Sequence, residues 1–206
     1  MFMNDLFELI EYIQDEHNKN CKSWKQHPNY YYVNMKNKNA RDIFTDFNIF
    51  KSIYLYHDFL NDAAIDIQIN LQIKEFNSVI SSRVKAINSI SYKMSNYYLK
   101  HEQGHVAINK CLNDCFGVRI ILEKDMDYDK IVQIISEKYP NIKCINSTKQ
   151  KYKAVHIYFG KGDNSKFQWE LQVWNKKDEN NNRDSHAKYK QGYTTWEHEN
   201  KGGGEK

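Results

Sequence analysis

"LNDCFGVRIIL", Leu112–Leu122, sets an aspartate and an arginine five residues apart around one glycine. From Cys115 onward the stretch CFGVRIILE is rich in β-branched and aromatic residues and reads as a strand. With Val118, Ile120, Ile121 and Leu122 it is too apolar for a surface turn. A buried strand start does not need an acid, so Asp114 calls for another reason. Upstream, SVISSRVKA reads as a strand and INSISYKMSNYYLKHE as a helix. Downstream, DYDKIVQIISEKYP reads as a helix closed by Pro140. NIKCINS, AVHIYFG and FQWELQVWN follow as three short strands, the last two joined by a turn over 160–166. Helices interleaved with four or five strands predict an α/β or α+β sheet domain.

The first part of the chain reads differently. Residues 4–17 carry Leu6, Leu9, Ile10 and Ile13 on one helical stripe. The polar, basic and aromatic segment 18–41 reads as irregular. From Asp42 to Phe76 the pattern is mostly helical, although AIDIQINLQI alternates with a period of two and fits helix or strand. Residues 175–206 gain charge and lose periodicity. The expected organisation is one domain, with a mainly helical part over 1–77, a catalytic core over 78–192 and a short frayed tail over 193–206.

Composition sets wide limits. The 206 residues carry 30 Lys and Arg against 26 Asp and Glu, a formal net charge of +4. That permits a phosphate-rich partner and equally fits a solvated lysine surface. Cys21, Cys111, Cys115 and Cys144 form no CxxC pair and no zinc spacing. No leader pattern opens the chain and no run of 18 apolar residues interrupts it. The expectation is a cytoplasmic protein with reduced thiols and no membrane partner.

Four clusters carry chemistry. Arg83 and Lys85 share a strand face, and Ser89 and Lys93 share a helix face just beyond. Both pairs meet at a strand-to-helix junction, where free backbone N–H groups favour an anion. Asp114 and Glu170 stand on two strands, and two carboxylates so placed can hold Mg²⁺ against phosphates. Glu170 shares its face with Gln172, opposite Leu171 and Val173, so it looks out from the core. Tyr152 and His156, beside Lys149 and Lys151, suit a base stacked above its phosphates. His186, Tyr189 and Lys190 cluster in SHAKYK. Each cluster alone would also fit a solvated basic edge or a packed strand.

Taken in order, RVK…S…K, NDCFGVR, YKAVH, ELQVW and HAKYK resemble the synthetase domain of RelA/SpoT-homologue proteins over about residues 78–192. The resemblance implies a mixed sheet of about five strands flanked by helices, akin to nucleotidyltransferase folds. It implies an enzyme, an ATP pyrophosphokinase that moves the β,γ-pyrophosphate of ATP to the 3′-hydroxyl of a guanine nucleotide, with Mg²⁺. On that basis Arg83 packs on adenine, and Lys85, Ser89 and Lys93 hold the ATP phosphates. Asp114 binds the metal, and Glu170 activates the hydroxyl or completes the metal site. Arg119 supports the ATP site, Tyr152 stacks on the acceptor guanine beside His156, and Gln172 neighbours Glu170. His186, Tyr189 and Lys190 match the closing motif. Where the family has glycine before this tyrosine, the chain has Lys151. Toxins of toxin–antitoxin pairs in the same family pyrophosphorylate the 3′ end of tRNA or make adenosine alarmones. The resemblance therefore also allows a tRNA acceptor end and an antitoxin partner. The basic aromatic segment Lys22–Arg41, with Trp24 and Tyr30–Tyr32, would suit such an RNA.

Overall fold

The computed structural model describes residues 2–74 and 76–188. The first helix, α1 (Phe2–Gln26), runs nine residues beyond the expected stop at 17. Its buried stripe continues from Ile13 through His17, Asn20, Cys21 and Trp24, so the helix persists although His17 and Asn20 are polar. This overturns the irregular reading of residues 18–26. Trp24 is core as well, packed against Tyr56 and Phe59, and is not part of any RNA-facing surface.

Helix α2 (Ala40–Thr45) opens on a capping box between Asn39 and Asp42. The helical run then breaks once, at Asp46, whose carboxylate accepts from the backbone N–H groups of Asn48 and Ile49 to start α3 (Phe47–Ile73). The ambiguous AIDIQINLQI is helix. Ala64, Ile67 and Leu71 are buried at helical spacing, while Ile65, Ile69 and Ile73 of the apparent strand pattern face outward.

After β1 (Val79–Val84) come α4 (Ile87–Lys100), the short α5 (Ile108–Cys111) and β2 (Phe116–Leu122). Next are α6 (Tyr128–Lys138), β3 (Lys143–Asn146), β4 (Val155–Phe159) and β5 (Trp169–Asn175). A helical stretch over 179–188, α7, follows where the sequence shows no apolar period. The five strands form one sheet, the number expected, and their order is β1-β2-β5-β4-β3. β2 and β5 are parallel and every other pair is antiparallel, which makes the sheet mixed.

The two faces of this sheet differ in kind. Phe116, Val118, Ile120, Trp169, Leu171, Val173, Ile157 and Phe159 point to one side and join the buried residues of α1, α3, α4 and α6 in a single core. Each of these large side chains contributes roughly 1.5–3 kcal/mol on burial. Inside the core the Trp169 indole donates to the Tyr56 hydroxyl at 3.0 Å, and that hydroxyl donates to Asn20 at 3.1 Å. With four helices covering one face, the alternate residues of the same strands are left to build something else. Among the described residues no helix is long and apolar enough to cross a membrane.

Candidate functional site

Strand register lays the other face out in rows. Arg83, Gly117, Glu170 and Tyr158 stand side by side across β1, β2, β5 and β4. One step along lie Ser81, Arg119, Gln172 and His156. Beyond these Ile121, Trp174 and Ala154 form a small apolar patch with Tyr152 packed against it. A cleft of about 400 Å³ opens over the first two rows, lined by Arg83, Asp114, Gly117, Arg119, Glu170 and Gln172 and walled by α7. That is the size of a small-molecule site. Gly117 keeps its floor open, since a Cβ there would meet nothing within 4 Å.

Asp114 sits in the turn before β2, at the end of the cleft nearest the β1–α4 junction. Lys85 donates to one of its carboxylate oxygens at 2.8 Å and Lys93 to the other at 2.9 Å. Lys93 also reaches the Asn113 side chain at 2.8 Å. Burial works to raise the Asp114 pKa, but the charges of Lys93 and Lys85 outweigh it and hold the carboxyl well below the usual range. Lys93 shows the reverse balance. Burial disfavours its charge, and Asp114 more than offsets that, so its pKa rises. Lys85 is placed by its backbone: its N–H donates to the Cys115 carbonyl, and its own carbonyl bonds with the His57 ring at 3.0 Å. Helix α4 begins at Ala86 with no side-chain cap, leaving its first N–H groups open beside these ammonium groups.

Glu170 is held at the middle of the sheet. His156 Nδ1 lies 2.8 Å from one carboxylate oxygen, and the Gln172 amide donates to the other at 2.8 Å. Burial pushes the Glu170 pKa up, and the bond and charge of His156 overcome that push, leaving it below its ordinary value. The Tyr152 hydroxyl is 2.8 Å from His156 Nε2, and the Tyr158 hydroxyl is 3.2 Å from Nδ1. Gln172 turns its carbonyl oxygen to Arg119, which donates from Nε at 3.3 Å and Nη2 at 3.1 Å. The Arg119 guanidinium also lies 3.6 Å over the Trp174 ring. Burial, with smaller contributions from Arg83 and Arg183, lowers its pKa to about 10. An unbroken chain of polar contacts therefore runs from Tyr152 through His156, Glu170 and Gln172 to Arg119.

Among the expected site residues, Arg83, Asp114, Arg119, Glu170, Gln172 and His186 line the cleft. Lys85 and Lys93 stand against it through Asp114. His156 is a partner of Glu170 first, beside Gln172 on the same sheet face and outside the cleft lining. Ser89, in the first turn of α4, does not reach the cleft lining. Lys149 and Lys151 are exposed on the turn between β3 and β4, also outside the lining. That turn takes its positive φ at Gln150, one position before Lys151. Tyr189, Lys190 and the tail over 193–206 lie outside the described residues.

Sequence reasoning missed Asn113, Tyr158 and Arg183, while alternation along β5 put Trp174 on the same face as Glu170, as the register does. Register opposite Glu170 could have found Tyr158. Arg183 gave no signal, since α7 itself gave none.

The donor set also suits the divalent cation that the resemblance implies. Mg²⁺ is commonly held by one or two carboxylates plus substrate phosphates, and a carboxylate offers about four lone-pair sites. Asp114 and Glu170 both line the cleft and keep acceptor capacity beside their present partners. Among the described residues no group of three or more His, Cys, Asp or Glu forms a closed metal cage.

Comparison with known proteins agrees on the family. No curated protein matches the chain. Among solved structures it is similar to small alarmone synthetase 1 from Bacillus subtilis, at 15% identity over 65% of this chain and 76% of that one, with a TM-score of 0.39. Small alarmone synthetase 2 from the same organism gives 20% identity over 68% and 80% of the two chains, with a TM-score of 0.41. The first of these is also known bound to AMPCPP, where the match is 14% identity over 56% and 66%, with a TM-score of 0.31. These superpositions are loose, and the assignment rests on sequence. The family model for the region found in RelA/SpoT proteins matches residues 82–194, more than half of the 206, and the chain belongs to that family.

Proposed function

We propose that the protein is an ATP pyrophosphokinase that transfers the β,γ-pyrophosphate of ATP to the 3′-hydroxyl of a guanine nucleotide. The observation that carries this reading is the pairing of the two cleft carboxylates. Asp114 is bound by two lysines on the β1 side, and Glu170 is bound by a histidine on the β4 side. The cleft thus has a strongly cationic end for a polyphosphate donor and a proton-accepting centre facing it.

In this reading Arg83, Lys85, Lys93 and Arg119 bind the donor, and the open N–H groups of α4 add to its phosphate end. The acceptor lies toward Tyr152, with its 3′-hydroxyl at Glu170. The acceptor oxygen bonds to the β-phosphorus as the bond to the oxygen bridging the α-phosphate breaks, and AMP leaves. Glu170 takes the hydroxyl proton, and His156, 2.8 Å from its carboxylate, holds it in place. Gln172 keeps the free lone pairs of Glu170 aimed at the cleft. Lys85 and Lys93 offset charge that develops on the departing AMP. Asp114 and Glu170 would hold Mg²⁺, which supplies further neutralisation of the donor phosphates when bound.

The test is label transfer. Protein, Mg²⁺ and ATP labelled at the β-phosphate are mixed separately with GDP, GTP, ATP alone and bulk tRNA. The reading expects label on GDP or GTP with release of AMP. Transfer to tRNA alone would move the acceptor to RNA, and no AMP with any acceptor would overturn the reading.

A further inference from the structure

The C-terminal helix α7 brings a cation to the cleft that none of the sequence motifs supplies. Arg183 lines the cleft alongside Arg83 and Arg119. Its helix is fixed in place by polar contacts. The buried Asn182 exchanges two 2.8 Å hydrogen bonds with the backbone of Lys153, at the entry to β4. One turn on, His186 stacks on Trp174 and meets Tyr152 edge to face, with ring centroids 5.6 and 5.5 Å apart. Arg183 therefore stands at the Trp174 end of the cleft, where His186 meets Tyr152, and away from Asp114 at the start of β2.

Charge around the cleft is unbalanced. Arg83 has no ion-pair partner among the described residues, and Arg119 rests on a neutral amide and an aromatic ring. Arg183 is turned by Glu179, which accepts from its Nε at 2.9 Å and Nη2 at 2.6 Å, one helical turn back. That grip uses two donors of a group with five and leaves the rest for a ligand. Like charges converging on a cleft without matching carboxylates are stabilised by a polyanion.

We infer that Arg183 binds the 5′-phosphates of the acceptor nucleotide, and so makes the enzyme select a nucleotide over a nucleoside. This rests on the pyrophosphokinase reading for the identity of the acceptor. Because the donor polyphosphate meets Lys85 and Lys93 at the Asp114 end, the guanidinium at the Trp174 end falls to the other substrate. A charge-assisted hydrogen bond to phosphate corresponds to about 10- to 100-fold in affinity.

The experiment measures equilibrium binding of GDP and of guanosine to the full chain by calorimetry, with AMPCPP and Mg²⁺ present, for wild type, R183A and R183K. Expected is tighter GDP than guanosine binding in wild type, a loss of about 10-fold or more for GDP in R183A, unchanged guanosine binding, and an intermediate R183K. Arg183 is mostly exposed, so the substitutions leave the fold intact. Unchanged GDP binding in R183A, equal loss for GDP and guanosine, or no GDP binding by wild type would each overturn the inference. Label transfer is scored separately. Wild type that transfers pyrophosphate while R183A binds GDP normally sinks this inference alone. Wild type that transfers nothing sinks the pyrophosphokinase reading first.

Discussion

Replacing Asp114 by asparagine keeps the shape of the side chain but removes the carboxylate that Lys85 and Lys93 both face. At 2.8 and 2.9 Å, and with an effective dielectric of about 20, each ion pair has a gross Coulomb energy of about 6 kcal/mol. Desolvation of three largely buried charges and repulsion between the two lysines offset most of that sum. The cost of breaking a buried pair is about 3–5 kcal/mol. D114N should therefore lose about 3–5 kcal/mol of unfolding free energy at pH 7 in urea titrations, a large part of a typical domain's stability. The sign with pH follows from the depressed pKa of Asp114. Its contribution is fully present above the unfolded aspartate value of about 3.9 and is lost as pH falls further, so the wild-type advantage should hold from pH 7 to 5 and shrink below about pH 4. A D114N protein within 1 kcal/mol of wild type at pH 7, or a gap unchanged down to pH 3, would refute the electrostatic account of this end of the cleft.

Two further substitutions probe the remaining parts. H156F takes away the histidine that most lowers the Glu170 pKa and leaves the buried carboxylate with Gln172 and Tyr158. Its pKa should then rise, the acid limb of the pH–rate profile should move to higher pH, and turnover at pH 7 should fall by about 10- to 100-fold. An unmoved acid limb would remove His156 from the proton path. G117V adds a side chain where a Cβ meets only open cleft, in a strand that tolerates valine. Stability should change by less than about 0.5 kcal/mol while nucleotide affinity falls at least about 10-fold by calorimetry, and retained affinity would move the ligand off the cleft floor.

Much of this was legible in the sequence because the sheet obeys simple alternation. Arg119 and Glu170 sit one residue from core positions Val118 and Leu171, so period two alone turns them to the opposite face. The N-terminal helices were harder to read. α1 continues past residue 17 on His17 and Asn20, buried polar residues that bond with the Phe167 carbonyl and the Tyr56 hydroxyl and so disguise the stripe. In α3, five apolar residues at alternate positions imitated a strand, yet the helix buries only Ile67 and Leu71 of them. α7 left no apolar trace, because Asn182 and Asp178 attach it to the sheet domain through Lys153 and Tyr128. The role of His156 was also hidden. Its spacing from Tyr152 placed the two together, but only the register of β4 against β5 brings it to Glu170.

The most direct measurement of the central claim compares GDP with 3′-deoxy-GDP as acceptor for γ-labelled ATP, with AMP and labelled nucleotide quantified together. The account predicts one AMP for each labelled GDP and no labelled product from 3′-deoxy-GDP. Label released as free phosphate or pyrophosphate, or equal labelling of both acceptors, would contradict it.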